Sequence, residues 1–101
     1  MSRRQHLTAI AYDKKGKIIS IGNNSYVRTH TVQAKYAAKA GKPGAVFLHA
    51  EIDALIKARG KPIHRIFVSR VSISGEYVLA KPCKICQMAL AEYGVKIVEH
   101  T

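Results

Sequence analysis

At 101 residues the chain has room for one domain, spanning 1–101, and its 48% apolar content with no low-complexity tract argues against extended disorder. Its apolar runs fall far short of the roughly 20 residues that cross a bilayer, and no apolar leader follows the N-terminal arginines, so the expectation is a cytoplasmic protein with no membrane span. Charge is the extreme quantity: 17 Lys and Arg against 6 Asp and Glu, a formal +11, which suits nucleic acid or phosphorylated small molecules as partners.

Leu7–Tyr12 and Lys17–Gly22 read as two strands around the polar turn Asp13–Gly16, an antiparallel hairpin. Asn23–Thr31 is loop-like, and Val32–Ala40 predicts a short Ala-rich helix ended by Gly41. In "HAEIDALIKARG" the residues Ile52, Leu55 and Ile56 recur at helical spacing, with Gly60 and Pro62 as stops, so His49 and Glu51 stand at a helix start. Ile63–Ile73 predicts a strand, Gly75 a turn and Glu76–Ala80 a brief return strand. After Pro82, "CKICQMALAEYG" predicts a helix with Gly94 as its stop, and Val95–Val98 a last strand. The order predicts an α/β fold with a mixed sheet: an N-terminal antiparallel hairpin, then parallel strands linked by helices.

The only two cysteines, Cys83 and Cys86, lie in "KPCKIC". A redox pair is one reading, since a helix N-terminus lowers a thiol's pKa, but Pro82 precedes the pair instead of separating it. A structural zinc site with four protein ligands lacks a second Cys or His pair. Zinc with three protein ligands and one open position needs one nitrogen donor. Of the five histidines, His6 and His100 are near the termini, His30 is in a polar loop and His64 starts a strand, whereas His49 opens a helix with a carboxylate two residues later. If the two helices aim their N-termini at one point, His49, Cys83 and Cys86 would bind one Zn²⁺ per chain and leave Glu51 close but unligated.

"HAE" followed by "PCKIC" resembles the H-x-E…P-C-x-x-C signature of the cytidine/deoxycytidylate deaminase superfamily, and the resemblance runs from the hairpin to Val98. The ending "CQMALAEYGVKIVEH" looks closer to the deoxycytidylate-deaminase side. The resemblance implies a three-layer α/β/α fold, a zinc-activated water and Glu51 as the group that carries protons. It also implies that Asn24, within Gly22-Asn23-Asn24, contacts the substrate's sugar or base, while the backbone N–H of Ala50, and that of Cys83, are candidates to hold the base's amide. Arg28, Lys81 and Lys84 are candidate cations for a 5′-phosphate.

The leading expectation is therefore hydrolytic deamination of cytidine, deoxycytidine or dCMP by a homo-oligomer. A deaminase of single-stranded nucleic acid or tRNA is the alternative, though the chain has no Trp and only Tyr26 and Tyr36 stand as candidates for exposed stacking. A non-catalytic basic zinc module is the third. Three departures bear on the substrate: little sequence precedes the first strand, the Val71–Lys81 segment is longer than in relatives, and little follows the last strand.

Overall fold

A computed structural model describes residues 6–101. Strands β1 (His6–Tyr12) and β2 (Ile18–Asn23) form the expected hairpin. Its turn is held by Asp13, whose Oδ1 accepts the backbone N–H of Lys15 at 2.9 Å and of Lys17 at 2.8 Å, while Gly16 takes φ +84°. The register pairs Ala9 with Gly22 and Ala11 with Ser20 on one face, and Ile10 with Ile21 on the other. The first face carries small residues because a helix lies directly on it. A Cβ on Gly22 would sit 2.2 Å from the Ala50 carbonyl oxygen and 2.3 Å from the Ala54 nitrogen.

The remaining elements are α1 (Thr31–Lys39), α2 (Ala50–Lys57), β3 (Arg65–Val71), β4 (Tyr77–Val78), α3 (Lys84–Glu92) and β5 (Ile97–His100). β3 is central. It pairs with β1 antiparallel along its full length, from His6↔Val71 to Tyr12↔Arg65. Its other edge is divided: β5 runs parallel to Arg65–Val68, and β4 pairs antiparallel with Arg70 and Val71. Thr101 joins the two halves, its N–H donating to the Val68 carbonyl at 3.0 Å and its hydroxyl to the Val78 carbonyl at 2.6 Å.

The sheet is mixed but mostly antiparallel. Only β3 and β5, linked through α3, pair in parallel, which corrects the expectation of successive parallel strands: β2 and β3 run in the same direction but β1 lies between them, antiparallel to both, while β4 returns along β3 as the sequence suggests. The helices also depart from expectation. α2 packs on β1, β2 and β3, and α1 and α3 pack on α2 and on each other, so all three share one face. Among the described residues there is no helical layer on the opposite face, where Ile18 and Ile21 remain 51% and 47% exposed. The described chain thus shows two layers, with Tyr36, Ile52, Leu55, Ile66, Val68 and Ile85 filling the space between and among the helices. Among the described residues no helix is long and apolar enough to cross a membrane.

Two boundaries differ for identifiable reasons. β5 begins two residues later than the predicted Val95, because the Val95 N–H closes α3 by donating to the Leu90 carbonyl at 3.0 Å, with Gly94 at φ +78°. This is a Schellman end, which withholds Val95 from the sheet. At the end of α2 the first left-handed residue is Arg59, at φ +52°, and the predicted stop Gly60 follows it at +82°.

Candidate metal centre

Because α2 runs antiparallel to β2, with Ala50 and Ala54 over Gly22 and the Ser20 hydroxyl donating to the Ala54 carbonyl at 2.7 Å, its first turn lies where β2 ends. His49 is the N-cap of α2 and Cys83 the N-cap of α3. Helices usually place Ser, Thr, Asp or Asn there to satisfy the first N–H groups. Here His49 makes no such cap, and within α3 the Cys83 thiol reaches only the second cysteine, Cys86. They meet each other instead: Nδ1 of His49 lies 3.4 Å from Sγ of Cys83 and 3.3 Å from Sγ of Cys86. The three donor atoms fall within 4.8 Å of one another. Two converging helix starts that carry a histidine and a cysteine where the usual caps stand are the kind of local departure expected at a functional site.

Supporting contacts hold each start in place. The His49 N–H donates to Oε1 of Gln33 at 3.1 Å, and Nε2 of Gln33 donates to the Ala45 carbonyl at 3.1 Å, so a fully buried amide on α1 fixes the segment leading into α2. At α3, Nε2 of Gln87 donates to the Pro82 carbonyl at 2.7 Å. Asp53, buried one turn into α2, accepts the Asn23 N–H at 2.9 Å and pairs with Lys57 at 2.8 Å.

Electrostatics follow from this crowding. The Cys86 thiol beside it, and then the His49 imidazole, hold the Cys83 thiol down to about 3. Cys86 is correspondingly pushed up, first by its hydrogen bond with Cys83 and then by burial. His49 is raised by its hydrogen bond to Cys83. Burial raises the Glu51 carboxyl, which also bonds the Cys86 thiol. A cation bound by both thiolates and the imidazole takes the place of the protons these groups otherwise share. Two sulfurs and one nitrogen, with no fourth donor in the cluster among the described residues, match a three-ligand zinc site, so the donor set fits one Zn²⁺.

A cleft of about 390 Å³ opens beside these groups, and Glu51, His49 and Cys83 lie in its wall. Of the residues expected to meet a substrate, Asn24, Ala50 and Lys81 line it. Arg28 does not: its guanidinium is drawn to 3.9 Å from Asp53. Lys84 does not either, being exposed as the first residue of α3. Asn24 also has a structural task, since its Oδ1 accepts the Leu7 N–H at 2.9 Å.

Sequence reasoning missed Gln33, whose only signal was an amide three and four residues before Tyr36 and Ala37 on the buried stripe of α1. It also missed Phe47, which with Tyr26 gives the cleft an aromatic wall. Tyr36, expected on the surface, is buried against the helices. Comparison of the chain with protein-family models and with curated proteins returns no match.

Proposed function

We propose that this protein catalyses zinc-dependent hydrolytic deamination of a cytosine nucleoside or nucleotide, as its resemblance to the cytidine/deoxycytidylate deaminases implies. The observation that carries the reading is the meeting of His49, Cys83 and Cys86 at two helix starts with the buried Glu51 beside them in the wall of one cleft. A non-catalytic zinc module leaves Glu51 without a role in that wall. The α3 crossover between parallel β3 and β5, next to an antiparallel hairpin, is compatible with the core of the family's fold.

His49, Cys83 and Cys86 would hold the zinc, which when bound would supply the Lewis acidity that makes water a competent nucleophile near neutral pH. Glu51 accepts a proton from the attacking water and delivers it to the ring nitrogen adjacent to C4. It then takes the second proton from the oxygen added at C4 and gives it to the departing amine, so that water and cytosine give uracil and ammonia. One carboxyl must act as base and as acid in turn, and burial, which raises Glu51, suits it to both. Ala50, at the start of α2, lines the cleft, which supports its N–H as the group that meets the base's carbonyl, and the rings of Phe47 and Tyr26 offer flat walls to a planar heterocycle. Lys81 is the one Lys or Arg in the described lining, which favours a monophosphate over a neutral nucleoside.

The deciding experiment incubates zinc-loaded protein with cytosine, adenine and guanine as bases, nucleosides, monophosphates and oligonucleotides. Mass spectrometry reads the exchange of an amine for a carbonyl. Conversion confined to cytosine monomers is expected, and conversion of nothing in the panel overturns the assignment.

A further inference from the structure

A net charge of +11 is not accounted for by a cleft lined by one lysine. Much of it collects at the other end of α2. Since α2 runs opposite to β2, its C-terminus lies beside the β1–β2 turn, bringing Arg59 and Lys61 toward Lys14, Lys15 and Lys17. The chain then enters β3 at the same end: the His64 N–H donates to the Tyr12 carbonyl at 2.9 Å, and the Lys96 N–H to the His64 carbonyl at 3.0 Å. Lys14, Lys15, Lys17, Arg59, Lys61 and Lys96 are all exposed. The acid of these segments, Asp13, has its Oδ1 engaged by the N–H groups of the turn.

This basic end borders the sheet face that no described helix covers. Tyr12 and Phe67 stand on that face, partly exposed, on the adjacent strands β1 and β3; the Arg65 guanidinium lies 4.1 Å from the centre of the Tyr12 ring and donates to Oε1 of Glu99, the register partner of Phe67, at 2.8 Å. Arg59 occupies the left-handed position after α2, φ +52°, which suits glycine.

We propose that the uncovered sheet face and its basic end form a docking surface for single-stranded nucleic acid. Phosphates lie along the Lys14–Lys17 turn, Arg59, Lys61 and Lys96, and bases stack on Tyr12, Arg65 and Phe67. The surface is separate from the proposed catalytic cleft: it gathers at the opposite end of α2 from His49, roughly 12 Å away for 8 residues at 1.5 Å each. It tethers the protein and does not present the base that reacts. A second copy is disfavoured as the occupant because it would bring another +11 against the same cationic rim.

Fluorescence anisotropy with labelled oligo-dT and oligo-U tests the surface without offering the cleft a cytosine. Binding is expected to weaken with salt at a log–log slope of about −3, as four or five phosphate contacts to a single strand require. The double variant Lys14→Glu, Lys15→Glu lowers affinity at least tenfold, and Tyr12→Leu severalfold. Lys42→Glu with Lys84→Glu, equal in charge change but outside the surface, shifts affinity less than threefold. Arg59→Gly is the sharpest probe. It relieves the left-handed side chain, so thermal stability holds or rises while affinity falls, whereas a cation serving only the C-terminal dipole of α2 would give the reverse. Relative binding of the two oligomers tells DNA from RNA. The proposal is overturned by any of four results: no oligonucleotide binding at 50 mM salt, equal losses in both double variants, tighter binding to anionic lipid vesicles, or self-association that buries Tyr12. None of these bears on nucleoside turnover, which is assayed separately.

Discussion

One ring nitrogen of His49 meets two thiols, 3.3 Å from Sγ of Cys86 and 3.4 Å from Sγ of Cys83, across separations of 37 and 34 residues. Metal content and catalysis should therefore separate by residue. Cys86→Ser or His49→Ala should bring zinc per chain from about one to near zero by elemental analysis after dialysis, since two protein ligands hold zinc far less tightly than three. Glu51→Gln should keep the metal and lose at least ~10²-fold in turnover, the low end of what positioned proton transfer contributes. Chelation should lower the melting temperature, and excess zinc restore it; at 100 times the dissociation constant the metal adds about 2.7 kcal/mol. A Glu51→Gln protein with full activity would remove Glu51 from the mechanism.

Gln33 should act on the site without touching a substrate. Gln33→Ala leaves the His49 N–H and the Ala45 carbonyl without this partner in a buried segment. The expected cost is about 1–3 kcal/mol of stability, with weaker zinc retention because the His49 backbone loosens. Denaturant titration together with competition against a chelator reads both. Loss of stability with zinc affinity unchanged would show that Gln33 supports the fold alone.

The parts of this architecture that were legible were those governed by local chemistry. The Asp13–Gly16 turn announced the hairpin, and Gly94 announced the end of α3. The two helix starts were legible through the apolar spacing of Ile52, Leu55 and Ile56 and through Pro82 ahead of the second helix, which set His49 and Cys83 at the N-caps. What was not legible depended on long-range packing. Nothing in "VQAKYAAKA" says that Gln33 will reach a segment 16 residues away. Nothing in the period-two pattern of β1 and β3 says that their second face stays uncovered, because Ile10, Tyr12 and Phe67 read as core positions of a three-layer fold. Arg28 looked available until the fold placed Asp53 near it.

Gly22 illustrates a motif residue whose constraint is steric. In the sequence it is the first member of Gly-x-Asn; in the fold it is where α2 touches β2. Gly22→Ala drives a Cβ into backbone atoms at 2.2 and 2.3 Å, which no rotamer can relieve. The first turn of α2 must lift, carrying His49 and Glu51 with it. The expected loss is about 3 kcal/mol or more, the upper range for overpacking. Equilibrium unfolding measures it, and a cost under 1 kcal/mol would mean that α2 is not seated as described.

The α1–α3 contact should respond to pH from both sides. Glu92 is held below its ordinary value of 4.5 chiefly by Lys39 at 3.3 Å, with Lys35 at 3.8 Å and the Tyr36 hydroxyl nearby. A depressed carboxylate stabilises the fold above its unfolded pKa, and this is lost as pH falls through the folded value. Tyr36 is raised from 10.0 to about 12, mainly by burial. Its contribution is full below 10 and is lost as pH rises toward 12. Melting temperatures measured across pH should show Glu92→Gln flattening the acid limb and Tyr36→Phe the alkaline limb. Because Glu92 is exposed, 1 M salt should abolish most of the acid-side difference. An acid limb unchanged in Glu92→Gln would place the acid sensitivity elsewhere.

On the proposed function, Lys81 should set how the cleft distinguishes a nucleotide from a nucleoside. It borders the cleft while Arg28 and Lys84 do not, so a single cation remains to meet a phosphate. Lys81→Ala should raise KM for a cytosine monophosphate about tenfold, or ~1.4 kcal/mol, and leave kcat within twofold, because the charge contributes to binding and not to proton transfer. KM for the unphosphorylated nucleoside should hardly change. Arg28→Ala and Lys84→Ala should leave both constants within twofold. The charge is exposed, so the monophosphate's advantage should shrink with added salt. If Lys81→Ala raised KM equally for both substrates, the lysine would be shaping the cleft wall beside Cys83 and not reading an anion.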